Sequence, residues 1–217
     1  MGALDFTRAR EAYERALALA PGNARVLRTS GSFLVSLGRF DEGILAGRHA
    51  VALDPLSRSS YDVLGFALYF ARRYREAILA YGESLTLDPS YPEAYGYRGL
   101  AYYGIDNLGS ARSSCEIKPD FFLSQLCLAV VYDRLGRHAD AEAVLAKMKA
   151  ALGDAVAYQY AEIYAQWGNR ASALDWLATA LRLRDSGLRG LKTDPLLDPL
   201  RKEPRFQAIE RQLNFPN

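Results

Sequence analysis

Residues 59–89 read SSYDVLGFALYFARRYREAILAYGESLTLDP and predict two helices joined by a turn. Small and apolar residues recur at helical spacing in both halves, namely Tyr61, Leu64, Gly65, Leu68 and Phe70, then Ala77, Ile78, Tyr81, Leu85 and Leu87. Pro89 ends the second helix because it lacks an N–H and disfavours helix at the preceding residue. A helix pair this small cannot bury both of its apolar faces alone, so it needs neighbours of the same kind.

The chain supplies such neighbours at a regular period. Pro21, Pro55 and Pro89 are each 34 residues apart, and Gly31, Gly65 and Gly99 keep the same spacing. This pattern of small residues, aromatic residues and a terminal proline resembles the tetratricopeptide repeat over about residues 1–183. The resemblance implies an all-α fold, a right-handed α-solenoid of helix-turn-helix units closed by a C-terminal capping helix.

Small residues are predicted to lie where the two helices of a unit cross. Gly65 and Ala77 occupy these positions in residues 59–89 and allow the two backbones to approach. A leucine at position 65 is expected to overpack the crossing, at a cost of about 1–3 kcal/mol.

The repeat divides the chain into units. We assign a half repeat to residues 1–22, five units to residues 23–56, 57–89, 90–119, 120–153 and 154–185, and a cap to residues 186–217. The half repeat lacks a first helix, so we expect the chain to be a fragment of a longer array. The third unit is shorter because one helical turn is missing between Gly109 and Lys118. Either its second helix is short or the array bends there.

The period ends at Asp185, and the tail has a different pattern. Three pairs combine an acidic residue with a proline and predict helix starts: Asp194-Pro195, Asp198-Pro199 and Glu203-Pro204. We predict one or two short helices, followed by a helix over about residues 204–213. This segment is expected to cover the apolar side of the last repeat, with dimerisation or docking as the alternative.

The C-terminal part carries a second resemblance. The run from Tyr164-Ala-Gln-Trp-Gly through Ala173-Leu-Asp-Trp-Leu to residues 191–206 is similar to the ends of repeat regions in bacterial multidomain regulators. These regulators include class III adenylate cyclases, winged-helix transcription activators and some serine/threonine kinases. The resemblance implies a regulatory module of a larger bacterial signalling protein, with an adenylate cyclase as one candidate parent.

Net charge and hydropathy limit the classes of partner that the sequence predicts. The formal net charge is +2, which is too small to indicate nucleic-acid binding. No apolar run approaches the length of a membrane span, and the first residues do not combine a basic region with an apolar stretch, so we expect no secretory signal. Cys115 and Cys127 do not form a disulfide framework or a metal site, so we interpret them as small buried hydrophobic residues in a reducing cytoplasm.

The sequence offers no recognisable catalytic set. Its two histidines, His49 and His138, lack partners at metal-ligand spacing, and no nucleophile elbow or phosphate-binding loop occurs. We therefore predict no enzyme activity, no cofactor and no metal for this chain.

The resemblance instead implies a concave groove, lined by the first helix of each unit, that holds a protein or peptide. The predicted lining residues are Arg25, Arg28, Asp62, Phe66, Tyr69, Phe70, Leu100, Tyr103 and Arg134. Aromatic residues and arginine are enriched at binding hot spots, although some of these rings are as compatible with the seams between repeats. The alternative function is self-association, with a homodimer through the C-terminal segment that sets the oligomeric state of the parent.

Overall fold

The computed structural model describes residues 5–216, so the first four residues of the predicted half repeat and residue 217 of the predicted cap lie outside it. Twelve α-helices fold from the described part: α1 Phe6–Leu19, α2 Ala24–Ser36, α3 Phe40–Leu53, α4 Arg58–Phe70, α5 Tyr74–Leu87, α6 Pro92–Gly104, α7 Leu108–Cys115, α8 Phe122–Arg134, α9 His138–Leu152, α10 Ala157–Gln166, α11 Arg170–Leu183 and α12 Pro204–Leu213. Three short 3₁₀ helices span Gly153–Val156, Ser186–Gly190 and Pro195–Leu200. No strand occurs between residues 5 and 216, which confirms the all-α prediction.

The helices form two layers of a solenoid. Consecutive helices pack against each other from α2 to α9, as in α2 with α3 and α4 with α5, and α10 packs against α11. The even-numbered helices α2, α4, α6, α8 and α10 also pack against one another along the array and form the inner layer. The odd-numbered helices from α3 to α11 form the outer layer.

The crossing of α4 and α5 depends on glycine. Gly65 is buried, and a Cβ placed there would lie 2.9 Å from Cζ of Tyr81, a ring that is itself fully buried. Ala77 is also fully buried. The predicted close approach at Gly65 is confirmed, and the neighbour that fills the space is the Tyr81 ring.

The turns inside the helix pairs share one backbone conformation. Gly38, Gly136 and Gly168 adopt positive φ angles of 83°, 75° and 75°. Arg72 and Asp106 adopt the same left-handed region with φ of 61° and 60°, and each follows the preceding turn residue by 34 positions. A non-glycine residue is strained in this region, so the two positions indicate that other contacts hold the turns in place.

The third helix pair differs from the others. Helix α7 has eight residues, whereas α3 and α5 each have 14, so the missing turn shortens this helix. Cys115 at the end of α7 forms a disulfide with Cys127 in α8, with the two Cα atoms 6.3 Å apart. Both cysteines are buried, as predicted, but the expectation that they form no disulfide was wrong. Disulfides persist in oxidising compartments, so the cysteines do not support the predicted cytoplasmic location.

The C-terminal segment covers the last helix pair, as predicted, and then reaches further. Leucines of residues 188–200 and the apolar face of α12 pack against α10 and α11, and Leu37 of the first pair belongs to the same cluster. Phe6 of α1 packs against Phe215, with ring centroids 4.3 Å apart. Asp198 does not cap a helix as predicted, because Pro199 lies inside a 3₁₀ helix and the Asp198 carboxylate pairs with Arg72. The tail thus bridges the two ends of the array.

No helix in the described part of the chain has the length and apolar character that crossing a membrane requires.

Candidate functional site

The bridging tail turns the concave face of the solenoid into a partly enclosed cavity of about 520 Å³. Its walls come from α1, from the inner helices α2, α4, α6, α8 and α10, and from residues 186–194 of the tail. This volume lies within the range of about 300–1,000 Å³ that is typical of ligand pockets. The sequence predicts an open groove, and the structure differs because the tail occupies one side of it.

Aromatic rings form the main wall of the cavity. Phe66 and Phe70 are four residues apart on α4 and therefore share one face, with ring centroids 4.4 Å apart. Tyr97 of α6 meets the edge of Phe66 at 5.7 Å and contacts Tyr69 at 5.5 Å. Behind it, Tyr97 stacks on the buried ring of Tyr81. The rings are thus held in fixed positions by contacts between α4, α5 and α6.

Two carboxyl groups lie on the wall formed by α10 and the tail. Asp194 precedes a 3₁₀ helix, and its Oδ1 accepts a hydrogen bond from the backbone N–H of Leu196 at 2.8 Å. The hydroxyl of Tyr158 donates to Asp194 Oδ2 at 3.0 Å. Glu162 lies one turn after Tyr158 on α10 and is only 6% exposed, yet its Oε2 atom has no hydrogen-bond partner in the described part of the chain.

Burial dominates the titration of this carboxyl pair. Loss of solvation raises the pKa of Glu162 well above its usual range, and the nearby Asp194 raises it further. Burial also raises the pKa of Asp194, although hydrogen bonds from its neighbours oppose the change. Two adjacent carboxyl groups with raised pKa values favour a state in which they share one proton.

The charged residues on the cavity wall are mostly acidic. Asp5 and Glu93 join Glu162 and Asp194, whereas Arg189 is the single arginine or lysine among the lining residues of the described chain. The Nε of Arg189 donates to the backbone oxygen of Ser186 at 3.1 Å, so part of its guanidinium is already bound. The cavity therefore favours positive over negative ligands.

Four of the nine predicted groove residues line this cavity: Phe66, Tyr69, Phe70 and Leu100. Among them Phe66 is partly exposed, whereas the other three are almost fully buried, with Tyr69 at 2% exposure. The structure thus brings the predicted aromatic residues of α4 together at the cavity. Phe66 exposes part of its surface there, whereas the other three side chains are packed inside the wall.

The other five predicted residues lie outside the cavity. Arg25 is exposed on α2, Arg28 pairs with Asp54 at 3.5 Å, and Arg134 pairs with Asp106 at 3.3 Å. The remaining two are Asp62 and Tyr103.

Asp62 accepts a hydrogen bond from Tyr91 at 3.4 Å, and burial raises the pKa of its carboxyl to about 6, against the opposing effect of Arg58. Tyr103 donates to Gln166 Oε1 at 2.9 Å, and the Gln166 side chain in turn donates to the Leu196 carbonyl at 2.6 Å. Tyr103 therefore supports the tail that closes the cavity.

Sequence reasoning missed Tyr97, Tyr158, Glu162 and Asp194. One local signal was present, because Tyr158 and Glu162 are four residues apart on the buried face of α10. An acidic residue on an otherwise apolar helical face is rarely fully buried without a partner. Asp194 gave no such signal, because its acid-proline pattern predicted only a helix cap.

Comparisons with known proteins agree with this architecture. Residues 1–58 match a family model described as tetratricopeptide repeat, and residues 72–106 match one described as TPR repeat. No curated protein matches the sequence.

Solved structures of similar architecture include MamA, which is 25% identical with a TM-score of 0.54 over 68% of this chain and 93% of that chain. TTC0263, a thermophilic TPR protein in Thermus thermophilus, is 20% identical with a TM-score of 0.61 over 88% and 98% of the two chains. YrrB, titled a TPR protein with an unusual peptide-binding site, is 16% identical with a TM-score of 0.50 over 83% and 96%. Two segments of the chain thus match tetratricopeptide repeats, and its all-helical solenoid has the fold of solved TPR proteins.

Proposed function

We propose that this chain is a protein-interaction module that binds a polypeptide segment in the cavity on its concave face. The observation that carries the proposal is the cavity itself, with about 520 Å³ of space and aromatic walls on the inner helices. TPR proteins generally mediate protein–protein interaction, and their fold is typically a scaffold without catalytic activity. The solved structure of YrrB is described as having a peptide-binding site, which supports the same role here.

Within this proposal Phe66 is the main anchor. Its ring is partly exposed at the cavity, whereas Tyr69, Phe70 and Leu100 are buried behind it and set the shape of the wall. Tyr97 supplies a second partly exposed ring against the edge of Phe66. Aromatic residues at the centre of a concave surface are the residue type that dominates binding energy. Arg25 is the proposed charge contact outside the cavity, since it is exposed on α2.

The proposal extends to the larger protein in which this module would lie. The similarity of residues 164–206 to repeat regions of bacterial multidomain regulators supports a regulatory module of a signalling protein, with an adenylate cyclase as one candidate. Sequencing of the complete native gene tests this point, because a cyclase or winged-helix domain on the same chain would support it. An unrelated catalytic or structural domain would contradict it.

Self-association through the C-terminal segment is less well supported. The apolar side chains of this segment, such as Leu197, Leu200 and Phe206, are fully buried against the same chain. A homodimer interface needs an accessible apolar surface, which this part of the tail does not provide. Light scattering over a range of concentrations separates the two roles, since a monomer at every concentration agrees with a binding module alone.

Selection of binding peptides tests the proposed function. A displayed library of random peptides is selected against the full chain, and the affinity of the enriched peptides is then measured for two variants. Phe66→Ala is expected to weaken binding tenfold or more. Leu79→Ala is the matched control, because Leu79 is 70% exposed on α5, which does not line the cavity. Equal affinities for both variants would contradict the assigned site.

A further inference from the structure

We propose that the cavity is a receptor for a basic side chain, and that Glu162 and Asp194 bind its ammonium or guanidinium head. The inference rests on the proposed function, because it names the chemistry of the bound segment: the polypeptide inserts a lysine or an arginine. Three independent features of the cavity support this choice.

The first feature is an unused acceptor. The Oε2 atom of Glu162 is buried and accepts no hydrogen bond from an N–H or O–H group of the described residues, so its one close polar neighbour is the second carboxyl group, that of Asp194. Both residues line the cavity. A buried polar atom without a partner is unfavourable, and among such side-chain atoms of the described residues Glu162 Oε2 is the one that belongs to a residue of the cavity wall. Asp194 is better satisfied, because Tyr158 and Leu196 donate to its two oxygens. Glu162 is therefore the position at which an incoming donor gains most.

The second feature is the sign of the charges around the pair. The Arg201 guanidinium lies close to Asp194, but it donates to the backbone oxygens of Leu191 and Asp194 at 2.7 and 2.9 Å. Asp185, the other acidic residue near Glu162, accepts from the backbone N–H groups of Tyr158 and Gly187. The charges that act on the Glu162 carboxyl are thus those of two other acids, so an external cation meets an acidic site.

The third feature is the aromatic wall of the same cavity. A cation near an aromatic face is attracted by the ring, and the apolar stem of a lysine or arginine side chain packs well against such rings. Phe66 and Tyr97 offer partly exposed faces within the same cavity. A neutral apolar side chain would use the rings but leave Glu162 unpaired, and an acidic side chain would be repelled by the pair.

Binding of a cation is coupled to the release of a proton from the carboxyl pair. We expect the carboxyl pair to share one proton before a cation binds, because burial raises the pKa of both groups. Tyr69, Tyr97 and Tyr158 are neutral neighbours, and Asp185 and Arg201 are nearby charges. An incoming ammonium or guanidinium replaces that proton, because two opposite charges are favoured over a neutral acid beside a cation. The complex therefore releases a proton, and its affinity rises with pH, up to about tenfold per unit while one proton is released.

Matched amino-acid probes test the inference without any knowledge of the partner. N-acetyl-lysine methylamide, N-acetyl-arginine methylamide and N-acetyl-norleucine methylamide are titrated into the full chain and followed by NMR. Norleucine is the control, because it has a lysine-like apolar stem without the charge. The basic probes are expected to bind at least tenfold more tightly than norleucine and to bind more tightly at pH 8 than at pH 6. Equal binding by norleucine, no binding by any probe or no dependence on pH would overturn the inference.

Variants locate the receptor group. Glu162→Gln is expected to remove the preference for the basic probes, whereas Glu142→Gln, at an exposed position on α9, is expected to keep it. If Glu162→Gln does not fold, the pH dependence of the unaltered chain decides the question. Preference retained in a folded Glu162→Gln protein would overturn the assignment.

The peptides selected in the functional test separate the two proposals. Peptides that need Phe66 but tolerate replacement of every lysine and arginine would support the groove and overturn the basic-side-chain receptor. Basic probes that bind through Glu162, in a chain for which no peptide can be selected, would support the receptor and count against the polypeptide partner.

Discussion

Arg72, in the turn between α4 and α5, pairs with Asp198 in the C-terminal tail, 126 positions later in the chain. The guanidinium Nη2 lies 2.7 Å from one carboxylate oxygen and 2.8 Å from the other. The two side chains are 41% and 44% exposed. This ion pair is a direct polar link between an early helix pair and the tail that closes the concave face.

The Arg72–Asp198 pair is expected to contribute little to stability by itself. Exposed ion pairs contribute about 0–1 kcal/mol, so Asp198→Asn should lower the free energy of unfolding by less than about 1 kcal/mol. Leu197→Ala is the matched comparison, because Leu197 is fully buried in the adjacent apolar cluster, and its loss should cost about 2–5 kcal/mol. Urea denaturation of both variants measures the difference. A loss for Asp198→Asn as large as that for Leu197→Ala would show that charge rather than apolar packing holds the tail.

Two glycines in neighbouring helices should respond in opposite ways to a methyl group. Gly65→Ala places a Cβ 2.9 Å from the buried Tyr81 ring and is expected to cost about 1–3 kcal/mol. Gly82→Ala, within α5, meets no described atom within 4 Å and should stabilise the chain by about 0.5–1 kcal/mol through its better helix propensity. Thermal and urea unfolding test the pair. A stabilising Gly65→Ala would mean that the α4–α5 crossing is looser than the structure shows.

Asp62 should make stability depend on pH. Its folded pKa is raised to about 6, above the ordinary value of 3.8, so the folded state holds the proton more tightly than the unfolded state. The resulting stabilisation is fully present below about pH 4 and is lost as pH rises from about 4 to about 6. Asp62→Asn keeps the hydrogen-bonding shape and removes the titration. The free energy of unfolding of the variant should therefore fall less between about pH 4 and pH 6 than that of the unaltered chain, and identical profiles would contradict the burial of this carboxyl.

The disulfide between Cys115 and Cys127 is expected to stabilise the short third pair. The two cysteines are 12 residues apart, and a cross-link that closes a loop of this size contributes about 3 kcal/mol in the chain-entropy description. Intact mass with and without alkylation first establishes whether the purified chain is oxidised. Because both cysteines are buried, reduction of the disulfide requires partly denaturing conditions. The reduced chain should then unfold at a lower urea midpoint than the oxidised chain, because the cross-link is lost. Free thiols in protein that was purified without reductant would contradict the bridge.

The repeat itself could be predicted from the sequence because its signals are local. Gly65 and Ala77 at the helix crossing, Pro89 at a helix end and the missing turn before Cys115 each act within one or two helices. Their physical effects are steric and short-range. They fix the helix pairs, the short α7 and the start of the last helix near Pro204 without knowledge of the whole array.

The closed cavity could not be predicted in the same way. It depends on the curvature summed over all helix pairs, which decides whether the tail can reach Arg72 and Leu37. Asp194 and Glu162 meet because the tail folds back onto α10, and Asp194 gives no local sign of its partner. The prediction that the two cysteines form no disulfide was wrong for a related reason, because their pairing depends on how the shortened α7 lies against α8.

Hydrogen exchange in the presence of a selected peptide tests the central claim most directly, because it locates the bound segment without a mutation. Bound peptide is expected to slow amide exchange in α4, α6, α10 and residues 186–194, the segments that contribute Phe66, Tyr97, Glu162 and Asp194 to the cavity. Protection confined to the outer helices α3, α5 and α9, with the inner helices unchanged, would contradict a binding site on the concave face.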